Sequence, residues 1–124
     1  MDLKSNKKIG NDFERELANI LSSKGYWVTF LNPKKYIGSQ PADLIVAKNN
    51  RVALIDCKTC SNYLFPISRI EQNQWSASKK FIECGNSDYY IAIKYMENIY
   101  IIPIQEINKN EKSINLIAQM KWRL

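Results

Sequence analysis

The stretch that decides the fold is "DLIVAKNNRVALIDCK", residues 43–58. Two runs of apolar and β-branched residues flank Asn49 and Asn50, and runs of this kind joined by two residues predict a β-hairpin. Asparagine suits a two-residue hairpin turn because it tolerates positive φ angles. We therefore predict two antiparallel strands that pair outward from this turn.

The predicted pairing brings two carboxylates together at the open end of the hairpin. Counting outward from the turn, Leu44 opposes Ile55, and Asp43 then opposes Asp56. Directly opposed residues have Cβ atoms about 4.5–5.5 Å apart, and like charges at that separation are destabilising. The pair therefore requires a cation between the carboxylates, or a shared proton.

The composition of this end of the hairpin favours a hard cation. The chain contains no histidine, and oxygen ligands without histidine favour Mg²⁺, with Mn²⁺ as a substitute. Lys58 lies on the same strand face as Asp56, because side chains alternate along a strand. It could polarise a water molecule or a phosphate oxygen beside the ion, an arrangement suited to metal-assisted phosphodiester hydrolysis. Cys57 points to the opposite face and is expected to pack.

Two alternatives remain open for the same residues. A β-bulge would slip the register and turn one aspartate away from the other. Alternatively, Asp43 caps the strand start while Asp56 and Lys58 form a surface ion pair, which is a common arrangement.

The elements around the hairpin predict an α/β fold. Apolar spacing predicts a first helix over residues 9–24, which Gly25 ends, and residues 26–31 form a strand. Residues 32–42, with two prolines and a glycine, form a loop. We expect a capping box at Ser68–Glu71 to open a second helix that ends near Cys84.

The remaining elements complete a mixed sheet. A second hairpin is expected around Glu97 and Asn98, whereas residues 112–124 fit either a short helix or a strand. The predicted order is α-β-β-β-α-β-β, a mixed sheet with helices packed against it. The 124 residues suit one domain over 1–124.

Two polar residues stand out on the predicted helices. Glu14 lies at the edge of the apolar stripe of the first helix, from which it could reach the end of the sheet; a solvated glutamate is the alternative. Gln74 occupies an apolar position of the second helix, and a buried amide needs a hydrogen-bonding partner. We expect that partner on the strand that carries Asp56; a glutamine at the rim of the core is the alternative.

Charge and composition narrow the class of partner. Eighteen basic and twelve acidic residues give a net charge of +6, which favours polyanions, nucleic acid first and an anionic membrane second. The chain has no apolar run long enough to span a membrane and no signal-peptide stretch at its start. Three cysteines argue against a disulfide framework. We expect a cytoplasmic protein, without membrane association or a small-molecule cofactor.

Taken together, these residues resemble the PD-(D/E)xK nuclease superfamily. "PAD" at 41–43 and "DCK" at 56–58 match its signature, and the helix segment "GNDFEREL" is similar to the first helix of Holliday-junction resolvases, with Glu14 at the active-site glutamate. The stretch "DCKTCSNYLFPISRIEQNQW" is similar to the RecU group. The matching positions there are Asp56, Lys58, Thr59, Phe65, Pro66 and Gln74.

The resemblance implies a restriction-endonuclease-like α/β fold with an α-β-β-β-α-β core and a Mg²⁺-dependent, structure-selective endonuclease. The implied substrate is a four-way (Holliday) DNA junction in recombination and repair, cut by a homodimer in a prokaryotic or phage-infected cell. The implied metal ligands are Asp43, Asp56, the Cys57 carbonyl and Glu14, with Lys58 and Gln74 as further catalytic residues. The expected DNA contacts are Lys7, Lys8, Arg15, Lys34, Lys35 and Thr59.

The chain departs from the RecU pattern in three ways. Only the eleven-residue loop 32–42 separates the predicted strand 26–31 from Asp43, which leaves no room for a stalk segment, and the build is nearer to archaeal and phage-borne resolvases. Asp56 replaces a glutamate, and Asn73 stands where a histidine is usual. Nuclease activity on flaps, ends or duplex therefore remains an alternative, as do a non-cleaving nucleic-acid-binding module and an accessory interaction protein.

Overall fold

The computed structural model describes residues 3–31 and 40–124, and for residues 3–11 it describes the backbone alone. Within these ranges the helices are α1 (Leu3–Ser23) and α2 (Gln72–Glu83). The strands are β1 (Trp27–Phe30), β2 (Leu44–Lys48), β3 (Arg51–Cys60), β4 (Leu64–Pro66), β5 (Tyr89–Tyr95), β6 (Asn98–Pro103) and β7 (Ser113–Asn115). Three short 3-10 turns cover Ile67–Arg69, Ile104–Glu106 and Met120–Trp122. The predicted order is confirmed, with β4 and β7 as additional short strands.

The main sheet has five strands in the order β1-β2-β3-β5-β6. β3 and β5 are parallel, whereas the other neighbours are antiparallel, so the expected mixed sheet is confirmed. The ten-residue strand β3 lies at its centre. β4 and β7 form a separate two-stranded antiparallel sheet.

The hairpin of β2 and β3 has the predicted turn and register. Asn49 and Asn50 have φ angles of 53° and 65°, and two consecutive positive φ angles define the type I′ turn that matches the twist of paired strands. Leu44 pairs with Ile55, as counted from the sequence. Val46 and Ile55 therefore face the same side of the sheet as Leu44.

One face of the sheet is covered by α1. Phe13, Leu17 and Leu21 are buried against Leu44 and Ile55 in a single apolar cluster. Burial of large side chains of this kind contributes roughly 1.5–3 kcal/mol each. This packing fixes the helix along the sheet, and with it the position of the residues that border its apolar stripe.

The opposite face carries the second apolar cluster. Leu54, Ile91 and Ile93 of the sheet pack there with Phe65 and Ile70 from the segment before α2. Partly buried aromatic side chains of α2 pack against the same cluster. Because Asp56 is two residues from Leu54, its side chain points to this second face.

The start of α2 differs from the expectation. Ser68 lies in a 3-10 turn, and α2 begins at Gln72 with Glu71 as its N-cap. Glu71 and Gln74 form the capping box: the Glu71 side chain accepts from the backbone N–H of Gln74, and the Gln74 side chain accepts from that of Glu71. The predicted Ser68–Glu71 box is wrong because Ser68 lies within the 3-10 turn Ile67–Arg69 and the helix begins only after Glu71.

Two further boundaries differ from the prediction. The second hairpin turns at Met96 and Glu97, since Tyr95 pairs with Asn98, one residue earlier than expected. α1 begins at Leu3 rather than at Ile9. The tail that fitted either a helix or a strand contains both the strand β7 and a 3-10 turn.

In the described part of the chain, neither helix combines the length and the apolar character that crossing a membrane requires.

Candidate active site

The site lies where β2 and β3 diverge. The regular ladder ends at Leu44 and Ile55, and the backbone N–H of Asp43 donates to the Ile55 carbonyl at 3.0 Å. Beyond this point the side chain of Asp43, and not its backbone, contacts β3: its Oδ2 accepts a hydrogen bond from the Cys57 backbone N–H at 2.7 Å. Asp43 is thereby held against β3 beside Asp56.

Asp56 is a buried carboxylate with an unsatisfied oxygen. It is 3% exposed, and its Oδ2 is buried without a hydrogen-bond partner. Its pKa is raised to about 7, first by burial and next by the charge of Asp43, although Lys58 acts in the opposite direction. A buried carboxylate that meets a second carboxylate is stable only as the acid or beside a cation.

Lys58 is the cation nearest to that oxygen. Its Nζ lies 3.2 Å from Asp56 Oδ2, but the approach lacks the alignment of a hydrogen bond. The Lys58 side chain is 13% exposed, so the pair is buried rather than a surface ion pair. The structure thus brings Asp43, Asp56 and Lys58 together.

Glu14 reaches the same end of the sheet from α1. It follows the buried Phe13, which places it at the border of the helix face that packs on the sheet. Its pKa is raised to about 7, mainly by burial and secondly by the charge of Asp43. The electrostatic coupling to Asp43 distinguishes Glu14 from a glutamate fully in solvent.

Gln74 has a different partner from the one we expected. It is buried, with 7% exposure, but its Oε1 accepts from the Glu71 backbone N–H at 2.8 Å. The side chain therefore caps its own helix instead of pairing with β3. The sequence signal for this role is the Glu71–Gln74 spacing of a capping box.

Cys57 faces α1, as the alternation predicts. It packs against the cluster beneath that helix, and burial, followed by Asp43 and Glu14, raises the pKa of its thiol. The thiol therefore stays protonated, which agrees with a packing role. Cys60 donates its S–H to the Asn62 carbonyl at 2.8 Å.

Two of the expected DNA contacts, Arg15 and Thr59, have side chains in the described part of the chain. The side chains of Lys7 and Lys8 and the residues Lys34 and Lys35 lie outside the described residues. Arg15 is exposed on α1. Thr59 lines a cavity of about 290 Å³ beneath α1, on the opposite face of β3 from Lys58.

Gln40 is a site residue that the sequence did not single out. Its Nε2 donates to Asp43 Oδ1 at 2.7 Å, so both oxygens of Asp43 have protein donors. The sequence offers no periodicity at Gln40, because it stands in a loop three residues before Asp43. Only the spatial contact identifies it.

The donor set suits a divalent cation. Among the described residues, no three acidic or thiol groups are clustered closely enough to hold a metal ion in their present positions. However, Asp56 has a buried oxygen without a hydrogen-bond partner and lies beside the carboxylate of Asp43. A hard cation bound between the two carboxylates would neutralise their repulsion. The residues present therefore fit such an ion.

The fold and this arrangement define a nuclease of the PD-(D/E)xK class: a mixed sheet between helices, with an aspartate and an Asp-x-Lys motif at a strand fork. The model of the archaeal Holliday junction resolvase (Hjc) family matches residues 5–121. The chain belongs to this family. The expected endonuclease of the Holliday-junction-resolvase type is thereby confirmed. The matching family is that of the compact archaeal resolvases and not the RecU group.

One relative agrees with the family, and one solved structure shares the fold. The crossover junction endodeoxyribonuclease Hjc of Methanocaldococcus jannaschii is 32% identical over 112 residues, which are 90% of this chain and 78% of that protein. The crystal structure of Archaeoglobus fulgidus Hjc, a Holliday junction resolvase from an archaeal hyperthermophile, superposes with a TM-score of 0.65. That alignment covers 82% of this chain and 81% of the other at 18% identity, and it supports the fold alone.

Proposed function

We propose that the protein is a Mg²⁺-dependent endonuclease that cuts four-way DNA junctions, acting as a single domain in each subunit of a homodimer. The observation that carries the chemistry is the buried Asp56 oxygen without a partner, beside Asp43 and 3.2 Å from Lys58 Nζ. The substrate rests on membership of the Holliday junction resolvase family. The cytoplasm of a prokaryotic or phage-infected cell is the compartment that such a DNA substrate implies.

The metal site proposed here uses oxygen ligands from two strands and one helix. Asp43 and Asp56 would hold the ion, the Cys57 carbonyl would add a ligand from β3, and Glu14 would complete the set from α1. When bound, Mg²⁺ supplies Lewis-acid activation of a phosphate oxygen and of the attacking water. The side chain of Asp43 is already oriented by its two hydrogen bonds, which reduces the reorganisation that binding requires.

Lys58 is proposed to act on the phosphodiester. Its ammonium group lies at the same strand face as Asp56 and is largely buried, so it is positioned to orient the water and to offset developing negative charge. Gln74 stays a proposed site residue only through its amide nitrogen, since its oxygen caps α2. Arg15, Thr59 and the lysines at 7, 8, 34 and 35 are proposed backbone contacts.

A cleavage assay tests this function. Purified protein is incubated with a labelled four-way junction and with linear duplex of the same sequence, with Mg²⁺, Mn²⁺ or EDTA. We expect junction-selective nicking that needs the metal and that falls at least about 100-fold in Lys58→Ala, because general acid–base and electrostatic groups contribute about this much. Lys94→Ala, which removes a lysine paired with Glu16, is the matched control.

The other outcomes separate the remaining functions. Equal cleavage of junction and duplex would remove the resolvase activity and leave a general nuclease. Tight junction binding without cleavage in either metal would identify a non-cleaving binding module. Sedimentation of the protein with and without junction tests the homodimer, and a monomer bound alone to the junction would contradict it.

A further inference from the structure

Two buried acceptor oxygens in the described residues lack any hydrogen-bond donor, and both lie next to Asp43. They are Gln40 Oε1 and Asp56 Oδ2. Gln40 contacts Asp43 directly through its Nε2 at 2.7 Å. A buried polar atom without a partner costs about 1–3 kcal/mol. Asp56 Oδ2 has only the Lys58 ammonium at 3.2 Å, without the alignment of a hydrogen bond, and Gln40 Oε1 has no donor, so the region around Asp43 lacks at least one donor or cation.

The orientation of the Gln40 amide is determined by its neighbour. Its NH₂ group must face Asp43 Oδ1, because an amide oxygen would be repelled by a carboxylate. The Oε1 is therefore the atom of the amide that does not contact Asp43, and it is buried without a donor. Only a hydrogen-bond donor or a cation can satisfy it.

From this geometry we infer that Gln40 is a positioning residue of the metal site. Its Nε2 holds Asp43, and its Oε1 would accept a hydrogen bond from a water carried by a bound ion. Mg²⁺ keeps several waters when it binds to proteins, and outer residues that orient ligands in this way change metal affinity by about 10–100-fold when they are removed. This inference rests on the metal site of the proposed function.

The charge of the site supports a neutral amide at this position. Asp43 lies close enough to Asp56 and to Glu14 for its charge to act on both carboxyl groups. A further carboxylate would add to the repulsion among these groups in the metal-free protein. An amide provides the acceptor oxygen without the charge, and its NH₂ group offsets part of the charge on Asp43.

Binding of Mn²⁺ alone, without DNA, tests the inference. The affinity is measured at pH 8 by titration calorimetry and by the electron paramagnetic resonance signal of free Mn²⁺. Gln40→Met keeps the side-chain length and removes both polar atoms, and we expect it to weaken binding about 10-fold. Gln105→Met is the matched control, because Gln105 Nε2 also donates at 2.7 Å, but to the exposed Ser87 carbonyl.

Gln40→Glu separates the two polar atoms of the side chain. It keeps an acceptor oxygen, removes the donor to Asp43 and adds a negative charge. We therefore expect a lower melting temperature without metal, and a larger rise of the melting temperature on addition of Mn²⁺ than in the wild type, because a bound cation relieves the added repulsion. This variant also decides the question if Gln40→Met fails to fold. An equal Mn²⁺-induced rise in Gln40→Glu and in the wild type would then overturn the inference.

The remaining outcomes distinguish this inference from the proposed function. Equal Mn²⁺ affinity in folded Gln40→Met and in the wild type would mean that Gln40 only anchors the loop. The proposed nuclease function would not be affected by that result. A wild type that binds no Mn²⁺ would remove the metal site, and with it both the proposed function and the role of Gln40.

Discussion

At the scale of single residues, the buried Asp56 makes the stability of the metal-free protein fall as the pH rises toward neutrality. The pKa of Asp56 is about 7, against an ordinary value of 3.8, so the folded protein binds more protons than the unfolded chain between those values. The free energy of unfolding therefore falls as pH rises from about 4 to about 7, and then levels off. At about 1.4 kcal/mol per pKa unit, a rise of about three units corresponds to a loss of roughly 4 kcal/mol.

Urea unfolding at pH 5 and at pH 8, with EDTA, measures this effect. We expect Asp56→Asn to flatten the pH dependence and to stabilise the metal-free protein at pH 8. Asp88→Asn is the contrasting variant, since the pKa of Asp88 is lowered, chiefly by its hydrogen bond with Arg51. Removal of this carboxylate should therefore lower the free energy of unfolding at pH 8. An unchanged slope in Asp56→Asn would contradict the account.

Sequence reasoning identified most of these residues but not their partners. The count from Asn49 and Asn50 placed Asp43 next to Asp56, and the alternation placed Lys58 on the same face. Gln74 was chosen for being polar at an apolar position, yet its partner is Glu71 of its own helix. Gln40 was missed because a loop residue without periodicity gives no signal until the chain is folded.

At the scale of elements, the turn of the β2–β3 hairpin controls stability. Asn50 has a φ angle of 65°, which is strained for a residue with a branched side chain and free for glycine. We expect Asn50→Val to lower the free energy of unfolding by about 1–2 kcal/mol, and Asn50→Gly to leave it unchanged or slightly higher. Thermal and urea unfolding measure both, and equal values would contradict the turn geometry.

The start of α2 gives a second prediction at this scale. The Glu71 side chain accepts from the Gln74 backbone N–H in the capping box, and loss of an N-cap costs about 1 kcal/mol. We expect Glu71→Ala to lower the free energy of unfolding by this amount, while Ser68→Ala changes it little. The reverse ranking would support a helix that begins at Ser68.

Local patterns predicted elements well where the pairing is between neighbours in the sequence. The β2–β3 hairpin and the stripe of α1 follow from spacing alone. The strands β4 and β7 pair Phe65 with Ile114 across almost fifty residues, and nothing within either short segment specifies that contact. The 3-10 turn before α2 likewise depends on packing of Ile67 and Ile70 in the core.

At the scale of the whole molecule, the net charge of +6 should make DNA binding depend on salt. The logarithm of the affinity falls linearly with the logarithm of the salt concentration, with a slope of about −0.9 per phosphate neutralised. Lys34→Ala combined with Lys35→Ala should therefore reduce the slope by about two. Binding of a junction in EDTA, measured by fluorescence anisotropy from 50 to 300 mM salt, gives these slopes.

A pair of lysines on α2 provides the control for this measurement. Lys79 and Lys80 are both exposed, so Lys79→Ala combined with Lys80→Ala changes the net charge by the same amount. We expect that variant to keep the wild-type slope. Equal reductions in the two variants would mean that net charge alone, and not a contact by the loop before Asp43, attracts the DNA.

The base of the loop before Asp43 determines how the protein can accept inserted residues. β1 and β2 pair from Trp27 with Ala47 to Phe30 with Leu44, and the Leu31 N–H donates to the Asp43 carbonyl at 2.9 Å. The two ends of the connection are therefore fastened together whatever lies between them. Doubling such a connection costs only about 0.6 kcal/mol of closure entropy. The scaffold is thus open to inserted peptides beside its carboxylates, and new substrate preferences could be acquired there without rebuilding the sheet.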